Sequence, residues 1–424
     1  MLNLMQVKEN PDKIILGLEK KKVDNASQLI NELLRIDEKR RSTQTEMDHI
    51  LNDINIKSKS IGALMKEGNH VEAESVKAQT KKLKEDSKKL GIILNEIEIQ
   101  LEELLYNIPN VPHLDVPHGA SSEDNKIIFE YGTIPVLPDE ALPHWELIEK
   151  YDIIDFELGN KITGAGFPIY KNKGAKLQRA LISFFLDEAE KAGYDEIQPP
   201  VIINADSGIA TGQLPDKEGQ MYQLKDDDFY LIPTAEVPIT NIYRNVILKE
   251  NELPVKKVGY TPCFRREAGS WGAHVRGLNR LHQFDKVEIV QISKPSDSYE
   301  ALANMCEYVK SLIIKLDLPF RMVMLCGGDL GFTSAMTYDM EVYSAAQKKW
   351  LEVSSISNCE NFQSNRLKLR YKNEENKNIL LHTLNGSALA LPRVLAAILE
   401  NNQNDNGIKI PEILRQYTGF DLIH

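Results

Sequence analysis

Apolar residues recur every seven positions over residues 27–105, a stretch without proline. The first register contains Leu29, Ile36, Thr43, Ile50, Lys57 and Leu64, with Leu33, Arg40, Met47, Ile54 and Ile61 as the companion positions. The second contains Val76, Leu83, Leu90, Ile97 and Leu104, with Thr80, Ser87, Leu94 and Leu101 between them. This 3-4 spacing is typical of a helix–helix seam. Gly68-Asn69 separates the registers and tolerates left-handed turn geometry. The pattern predicts an antiparallel helical hairpin with helices of about 36 residues, roughly 50 Å long.

The pattern changes after residue 105. Prolines from Pro109 to Pro143 exclude a continuous helix and indicate a linker or docking segment over 106–150. From 151 to 424, amphipathic helices alternate with short β-type runs. The helices are predicted at Gly174–Gly193 and Ala388–Glu400, and the strands at Phe229–Ile232, Val258–Phe264, Phe284–Ile292, Phe320–Leu325, Asp339–Ser344 and Trp350–Ser355. We therefore expect an α+β fold with an antiparallel or mixed sheet, preceded by an N-terminal domain over 1–105 whose arm covers about 27–105.

Composition limits the class of protein. The chain has 424 residues, 42% of them hydrophobic and 27% charged, as in ordinary globular proteins of two or three domains. No run approaches the roughly 18 apolar residues of a membrane span. The N-terminus lacks a basic start followed by an apolar stretch, so we expect a cytoplasmic protein with no membrane partner. The four cysteines match no zinc spacing; we expect buried reduced thiols and no zinc.

Charge leaves three interpretations of the arm open. The net charge of −11 argues against a nonspecific nucleic-acid binder. Between Lys57 and Lys89, however, nine lysines stand against five acidic residues, so the outer half of the arm is basic. It could contact phosphates, form a dimerisation coil, or simply present a solvated helix face.

The segment Phe264–Glu288 carries the clearest candidate chemistry. Four arginines lie in these 25 residues, near Glu267, Glu288 and Phe284 and with three glycines between them: Arg265, Arg266, Arg276, Arg280, Gly269, Gly272 and Gly277. Guanidinium groups bind phosphate bidentately. A solvated charged hairpin is the alternative, but the apolar flanks favour a site for an anionic, flat and partly cationic ligand, such as ATP with an amino acid. A parallel nucleotide-binding sheet is disfavoured because neither GxGxxG nor GxxxxGK[ST] occurs.

Three further segments could cooperate with this cluster. They are Thr234-Ala235-Glu236, Glu352-Val353-Ser354-Ser355, and Asn385-Gly386-Ser387 with Arg393. Taken together with Thr211–Pro215 (TGQLP), Ser357–Gln363 (SNCENFQ) and the helical arm, they resemble the seryl-tRNA synthetases over essentially the whole chain. The three class II synthetase motifs are matched at Gly174–Pro200, Phe264–Glu288 and Leu384–Glu400. The resemblance implies a class II antiparallel sheet flanked by helices.

The resemblance also implies residue roles. ATP would be bound by Arg265, Arg266, Glu267, Arg280, Phe284, Glu352, Val353, Ser354, Ser355 and Arg393. Serine would be bound by Thr234, Ala235, Glu236, Arg265, Glu288, Asn385 and Ser387. Glu352 and Ser355 would hold Mg²⁺, and Arg265, Arg393 and Glu352 would be the catalytic residues. The implied reaction is formation of seryl-adenylate and transfer of the seryl group to tRNA(Ser) and tRNA(Sec) by a homodimer.

Some positions depart from the pattern that is common in bacterial members. They are Ala273-His274 in the second motif, Ser364-Asn365 before Arg366, and Ala388 and Pro392 in the third motif. Two other functions are alternatives: a related ligase that loads amino acids onto carrier proteins, and a coiled-coil interaction protein with a degenerate synthetase fold. The long arm argues against the first, as does the absence of a Cys/His ligand set. The intact set Arg265, Glu267, Glu288, Glu352 and Arg393 argues against the second.

Overall fold

The computed structural model describes residues 1–268 and 276–424. Its helices are α1 (Leu4–Glu9), α2 (Pro11–Lys20), α3 (Ala26–Lys66), α4 (His70–Asn107), α5 (His144–Lys150), α6 (Phe156–Ile162), α7 (Asn172–Lys191), α8 (Ala205–Thr211), α9 (Glu236–Asn241), α10 (Ser298–Lys315), α11 (Phe362–Leu367), α12 (Leu391–Asn401) and α13 (Arg415–Thr418). Its strands are β1 (Lys126–Tyr131), β2 (Ile154–Asp155), β3 (Ile169–Tyr170), β4 (Asp195–Glu196), β5 (Ile202–Asn204), β6 (Phe229–Leu231), β7 (Ile247–Lys249), β8 (Val255–Phe264), β9 (Gln283–Ser293), β10 (Phe320–Met324), β11 (Met336–Ser344), β12 (Lys349–Asn358), β13 (Arg370–Lys372), β14 (Asn378–Leu380), β15 (His382–Ala390), β16 (Gln403–Asn404), β17 (Gly407–Lys409) and β18 (Leu422–Ile423).

The described residues fall into two compact units. One contains Leu4–Leu16 and Val23–Ile108; the other contains Met1–Asn3, Gly17–Lys22 and Pro109–His424. None of the helices in the described ranges is long and apolar enough to span a membrane.

The first unit is the helical hairpin that the heptads predict. The helices α3 and α4 have 41 and 38 residues and pack along their length, somewhat longer than expected. The chain turns at Gly68, whose φ of 80° favours glycine. The seam positions Thr80 and Leu94 are buried, whereas the positions on either side of each are exposed, and Leu33 is also buried. The seven-residue register is therefore confirmed.

The second unit is built on an antiparallel sheet. Within the described residues eight strands pair in the order β1-β10-β11-β12-β15-β9-β8-β4, all antiparallel except β4 with β8. The predicted fold class is thus confirmed, and every predicted strand is present with shifted ends. The edge strand β1 lies in the proline-rich segment, where the sequence pattern predicted no strand.

The helix α7 packs against this sheet. Leu177, Leu181, Phe184 and Phe185 are fully buried in the main hydrophobic core. This apolar face of α7 therefore belongs to the hydrophobic core. The four cysteines are free and buried, as expected.

The last helix begins later than predicted. Ala388 still belongs to β15, and Ala390 pairs with Lys286 of β9. The helix α12 starts at Leu391 with Pro392 in its first turn, a position where the missing N–H of proline leaves no hydrogen bond unmade.

Candidate active site

The hairpin of β8 and β9 supplies the centre of the site. Cys263 pairs with Phe284 and Phe264 with Gln283, after which the Arg265 N–H donates to the His282 carbonyl oxygen at 2.9 Å. Side chains alternate faces along a strand. On β9, Phe284, Lys286 and Glu288 face a cavity, while Val287 lies on the other face in the hydrophobic core.

The cavity has a volume of about 520 Å³ and collects nearly all the predicted site residues. These are Thr234, Glu236, Arg265, Glu267, Arg280, Phe284, Glu288, Glu352, Val353, Ser354, Ser355, Asn385, Ser387 and Arg393. Among the described residues, two predicted site residues do not line it. Ala235 is fully buried and packs with Ile239 and Val290, and Arg266 donates its backbone N–H to Gln220 at 2.9 Å.

Arginines and an aromatic ring form one half of the cavity. The Arg265 guanidinium carbon lies 5.3 Å from the centroid of the Phe284 ring. Arg280 forms an ion pair with Glu267, which has a positive φ of 49°. The Arg393 Nη1 atom donates to the Glu352 carbonyl oxygen at 2.8 Å and lies 3.4 Å from its carboxylate. This half presents phosphate-binding forks beside a flat apolar face.

Buried polar groups form the other half. The Glu236 carboxylate accepts hydrogen bonds from Gln363 at 2.6 Å and from Asn385 at 3.0 Å, and Gln363 accepts one from Thr383 at 2.7 Å. Burial, followed by the nearby charge of Glu288, raises the pKa of Glu236 to about 7. A ligand ammonium group would favour the ionised form of this carboxylate.

Glu288 belongs to a second buried pair. Its Oε2 atom lies 2.7 Å from the Lys286 ammonium group, and the Ser387 hydroxyl donates to it at 3.3 Å. Sequence reasoning missed Lys286 and the role of Gln363. The alternation Phe284, Lys286, Glu288 would have identified Lys286, because every second residue of a strand faces the same side. No sequence signal links Gln363 to Glu236.

A bulge in β12 prepares the predicted cation site. Met340 pairs with Ser354 and Glu341 with Glu352, so Val353 has no opposite residue on β11. In a regular strand, Glu352 and Ser355 would face opposite sides; the extra residue lets both line the same cavity. A carboxylate and a hydroxyl are oxygen ligands that suit Mg²⁺. In the described ranges no group of three His, Cys, Asp or Glu side chains could hold a metal ion.

The departures from the common pattern lie mostly outside the cavity. The Ser364 hydroxyl donates to the Leu381 carbonyl oxygen at 2.5 Å, and the Asn365 amide donates to the carbonyls of Met1 and Leu2 at 3.1 and 3.2 Å. Ala388 is buried in the core. Pro392 lines the cavity without a polar side chain. Ala273-His274 lies outside the described residues.

Comparisons with known proteins cover the whole chain. The model of the seryl-tRNA synthetase N-terminal domain matches residues 1–112, and that of the tRNA synthetase class II core domain (G, H, P, S and T) matches residues 221–402. The chain is similar to the serine–tRNA ligase of Salinibacter ruber, with 49% identity over 99% of this chain and 98% of the relative. The serine–tRNA ligase of Akkermansia muciniphila is 44% identical over 100% and 99% of the two chains.

Two solved structures are similar to this chain over nearly its whole length. The crystal structure of seryl-tRNA synthetase from Pyrococcus horikoshii complexed with ATP superposes with a TM-score of 0.94 and 32% identity, covering 100% of this chain and 99% of that chain. The cytoplasmic serine–tRNA ligase of Naegleria fowleri in complex with AMP gives a TM-score of 0.86 at 25% identity, covering 98% and 96%.

Proposed function

Because the chain belongs to the seryl-tRNA synthetases and is an aminoacyl-tRNA ligase, we propose that it activates L-serine with ATP to seryl-adenylate and transfers the seryl group to tRNA(Ser). The observation that carries the proposal is the composition of the 520 Å³ cavity. One half holds arginines and Phe284, and the other holds Glu236, Asn385, Glu288 and Ser387. Such a division suits a nucleotide beside a small amino acid that carries an ammonium group and a hydroxyl group.

In the activation step, the serine carboxylate attacks the α-phosphorus of ATP and diphosphate leaves. The carboxylate is already ionised, so no general base is needed. The task of the protein is to position the reactants and to stabilise the charge of the transition state. Arg265 would bind the α-phosphate and the substrate carboxylate, and Arg393 would leave Glu352 for the terminal phosphate. Bound Mg²⁺, held by Glu352 and Ser355, would neutralise phosphate charge.

Adenine recognition would use the remaining groups in the half of the cavity that holds the arginines. Phe284 offers a face for stacking, and Glu267 offers an acceptor for the adenine amino group. The ion pair of Arg280 with Glu267 supports this arrangement, because it fixes the carboxylate at the rim. Val353 and Ser354 of β12 would also contribute to ATP binding, and Arg266 would contribute from the segment that follows β8.

Serine recognition would use the buried polar half. Glu288 and Glu236 would receive the ammonium and hydroxyl groups, with Thr234, Asn385 and Ser387 at the pocket wall. The Glu236 N–H already donates to the Thr234 hydroxyl at 3.2 Å, so the turn is ordered before substrate binds. A buried site that hydrogen-bonds a hydroxyl discriminates strongly against alanine, whose methyl group would leave these polar atoms without partners.

The transfer step would bring the tRNA 3′ end to the cavity and the tRNA body to the helical arm. The exposed lysines of the arm between Lys57 and Lys89 support this assignment. We further propose that the enzyme acts as a cytoplasmic homodimer, that it uses Mg²⁺ with ATP and needs no zinc, and that it also charges tRNA(Sec). We also propose three domain limits: an N-terminal tRNA-binding domain over 1–105, a linker or docking segment over 106–150 and a catalytic domain over 151–424.

The test is amino-acid-dependent exchange of diphosphate into ATP without tRNA. The protein is assayed with serine, threonine, alanine and glycine at equal concentrations. Exchange with serine at a rate at least about 100-fold above that with alanine is expected, since the binding of the hydroxyl is the basis of selection. A folded protein that gives no exchange with serine would refute the activation step and favour a degenerate synthetase scaffold. Transfer is then measured separately with tRNA(Ser) and tRNA(Sec).

A further inference from the structure

A second cavity adjoins the first beside the proposed cation site. It has a volume of about 340 Å³ and shares Glu236, Glu352, Ser355 and Asn385 with the first cavity. The rest of its wall contains Asp329, Asp339 and several hydroxyl-bearing residues. No lysine or arginine is among the described residues that line it. An oxygen-rich, acidic cavity of this kind suits a hydrated hard cation.

Asp339 has the most unusual surroundings in this wall. It lies on β11, directly opposite Ser355 on β12, and the Ser355 side chain hydrogen-bonds to it. Its other oxygen, Oδ1, is buried and has no hydrogen-bond partner in the described structure. A buried polar atom without a partner costs free energy, and a charged one costs more. Nearly all such atoms in native proteins have a partner.

The pairing of the strands places this oxygen beside the two predicted Mg²⁺ ligands. The bulge at Val353 brings Glu352 to the face that Ser355 occupies, and both side chains line the cavity that Asp339 lines. A cation between Asp339 and Glu352 would give the buried Oδ1 atom a partner.

We propose that Asp339 is a third protein group of the divalent-cation site, and that its Oδ1 atom contacts the cation directly or through one bound water. This inference deepens the proposed function and rests on the proposed use of Mg²⁺ with ATP. It extends the predicted site from one strand to two, because Glu352 and Ser355 belong to β12 and Asp339 to β11.

The test measures metal affinity rather than turnover. Mn²⁺ replaces Mg²⁺ as the probe, and its free concentration is followed by electron paramagnetic resonance in the presence of a non-hydrolysable ATP analogue. Asp339→Asn is expected to raise the Mn²⁺ dissociation constant about tenfold or more, as loss of a supporting group at a metal site does. Asp329→Asn is the matched control. Its carboxylate lines the same cavity but accepts a hydrogen bond from Asn125 at 2.7 Å, so we expect less than about a twofold change.

Thermal unfolding gives a second readout that a purely structural role would not reproduce. If Asp339 only supports Ser355, the asparagine variant unfolds at a lower temperature and keeps its Mn²⁺ affinity within twofold, which overturns the inference. If Asp339 binds the cation, the variant loses the stabilisation that Mn²⁺ and nucleotide give to the wild type. Should Asp339→Asn fail to fold, Asp339→Ser is used, because serine removes the charge and leaves room for water.

The outcomes remain separable from those of the proposed function. Serine-dependent exchange by the wild type, with unchanged metal affinity in a folded Asp339 variant, would refute this inference alone. Conversely, the wild type could bind Mn²⁺ more tightly than the Asp339 variant and yet show no serine-dependent exchange. That outcome would refute the proposed function and still support the cation site.

Discussion

The helical arm and the active-site cavity are built in opposite ways. Along the arm, the helices α3 and α4 pack against each other through a pattern that repeats every seven positions, so neighbouring turns duplicate one another. The cavity instead draws its residues from separate segments between Gln213 and Arg393. The arm should therefore tolerate changes that keep its period, whereas the cavity should not tolerate the loss of one side chain.

Arg265→Ala should have the largest effect, and it tests the cavity side of the comparison. The variant removes the guanidinium group that would bind the α-phosphate and the substrate carboxylate, so serine-dependent exchange should fall at least about 1,000-fold. Its fold should be retained, because the side chain lies on the face of Phe284 rather than in the core. The measurement is the exchange rate together with a thermal unfolding curve.

Arg179→Ala is the matched control for that variant. Arg179 is an exposed arginine of α7, outside the residues that line the cavity. Exchange by this control should stay within twofold of the wild type. If the Arg265 variant kept more than a tenth of the wild-type exchange rate, other residues of the cavity would be able to replace Arg265.

Shortening the helical arm tests the other half of the comparison, namely that the arm tolerates changes that keep its period. Deleting Ile54–Glu67 and His70–Leu83 removes two heptads from each helix and retains Gly68-Asn69 at the turn. Since the period is kept, the hairpin should fold and serine-dependent exchange should stay within about twofold. If the arm binds tRNA, the kcat/KM of aminoacylation should fall about 100-fold through lost phosphate contacts. Both rates are measured on the same preparation.

A charge variant separates the length of the arm from its basic surface. Lys81, Lys82 and Lys84 are all exposed on α4, and changing each to glutamine leaves the seam intact. Aminoacylation should then show a smaller loss and a weaker dependence on salt. Unchanged charging by both arm variants would contradict the assignment of the arm to tRNA.

The same contrast explains what could be predicted from the sequence. The arm and the main strands follow from periods of seven and two, which are local properties of the chain. The bulge at Val353 could not be predicted, because it depends on how β11 pairs with β12. The contact of Gln363 with Glu236 joins α11 to α9 and requires the folded chain.

The arm contains one exception to its simple period. Asp37 is fully buried, and its carboxylate contacts Lys8, Arg40 and Arg41. Burial alone would raise the pKa of Asp37, but the hydrogen bonds from Lys8 and Arg40 outweigh it and lower the pKa. The periodic pattern gave no sign of this ion cluster, because Asp37 adjoins the seam position Ile36 and its partner Lys8 comes from another helix.

Glu236 shows how the cavity combines binding with a cost in stability. Its pKa rises from the ordinary 4.5 to about 7 in the folded protein. Between these values the unfolded chain ionises while the native state keeps the proton, so native stability falls as pH rises from 4.5 to 7. Above pH 7 the full cost, about 3 kcal/mol, remains. Glu236→Gln should remove this loss, as denaturant unfolding at pH 5 and pH 8 would show.

The cost has a functional counterpart in serine binding. If Glu236 binds the serine ammonium group, as proposed, its ionised form should bind best, and the ionised fraction falls about tenfold from pH 8 to pH 6. The KM for serine in the exchange reaction should therefore rise roughly tenfold over that range, while the KM for ATP changes little. In the Glu236→Gln variant, the KM for serine should be high at both pH 6 and pH 8 and nearly independent of pH. A wild-type serine KM that stayed constant between pH 6 and pH 8 would show that Glu236 does not bind the ammonium group, and that its buried network with Gln363 and Asn385 only shapes the pocket.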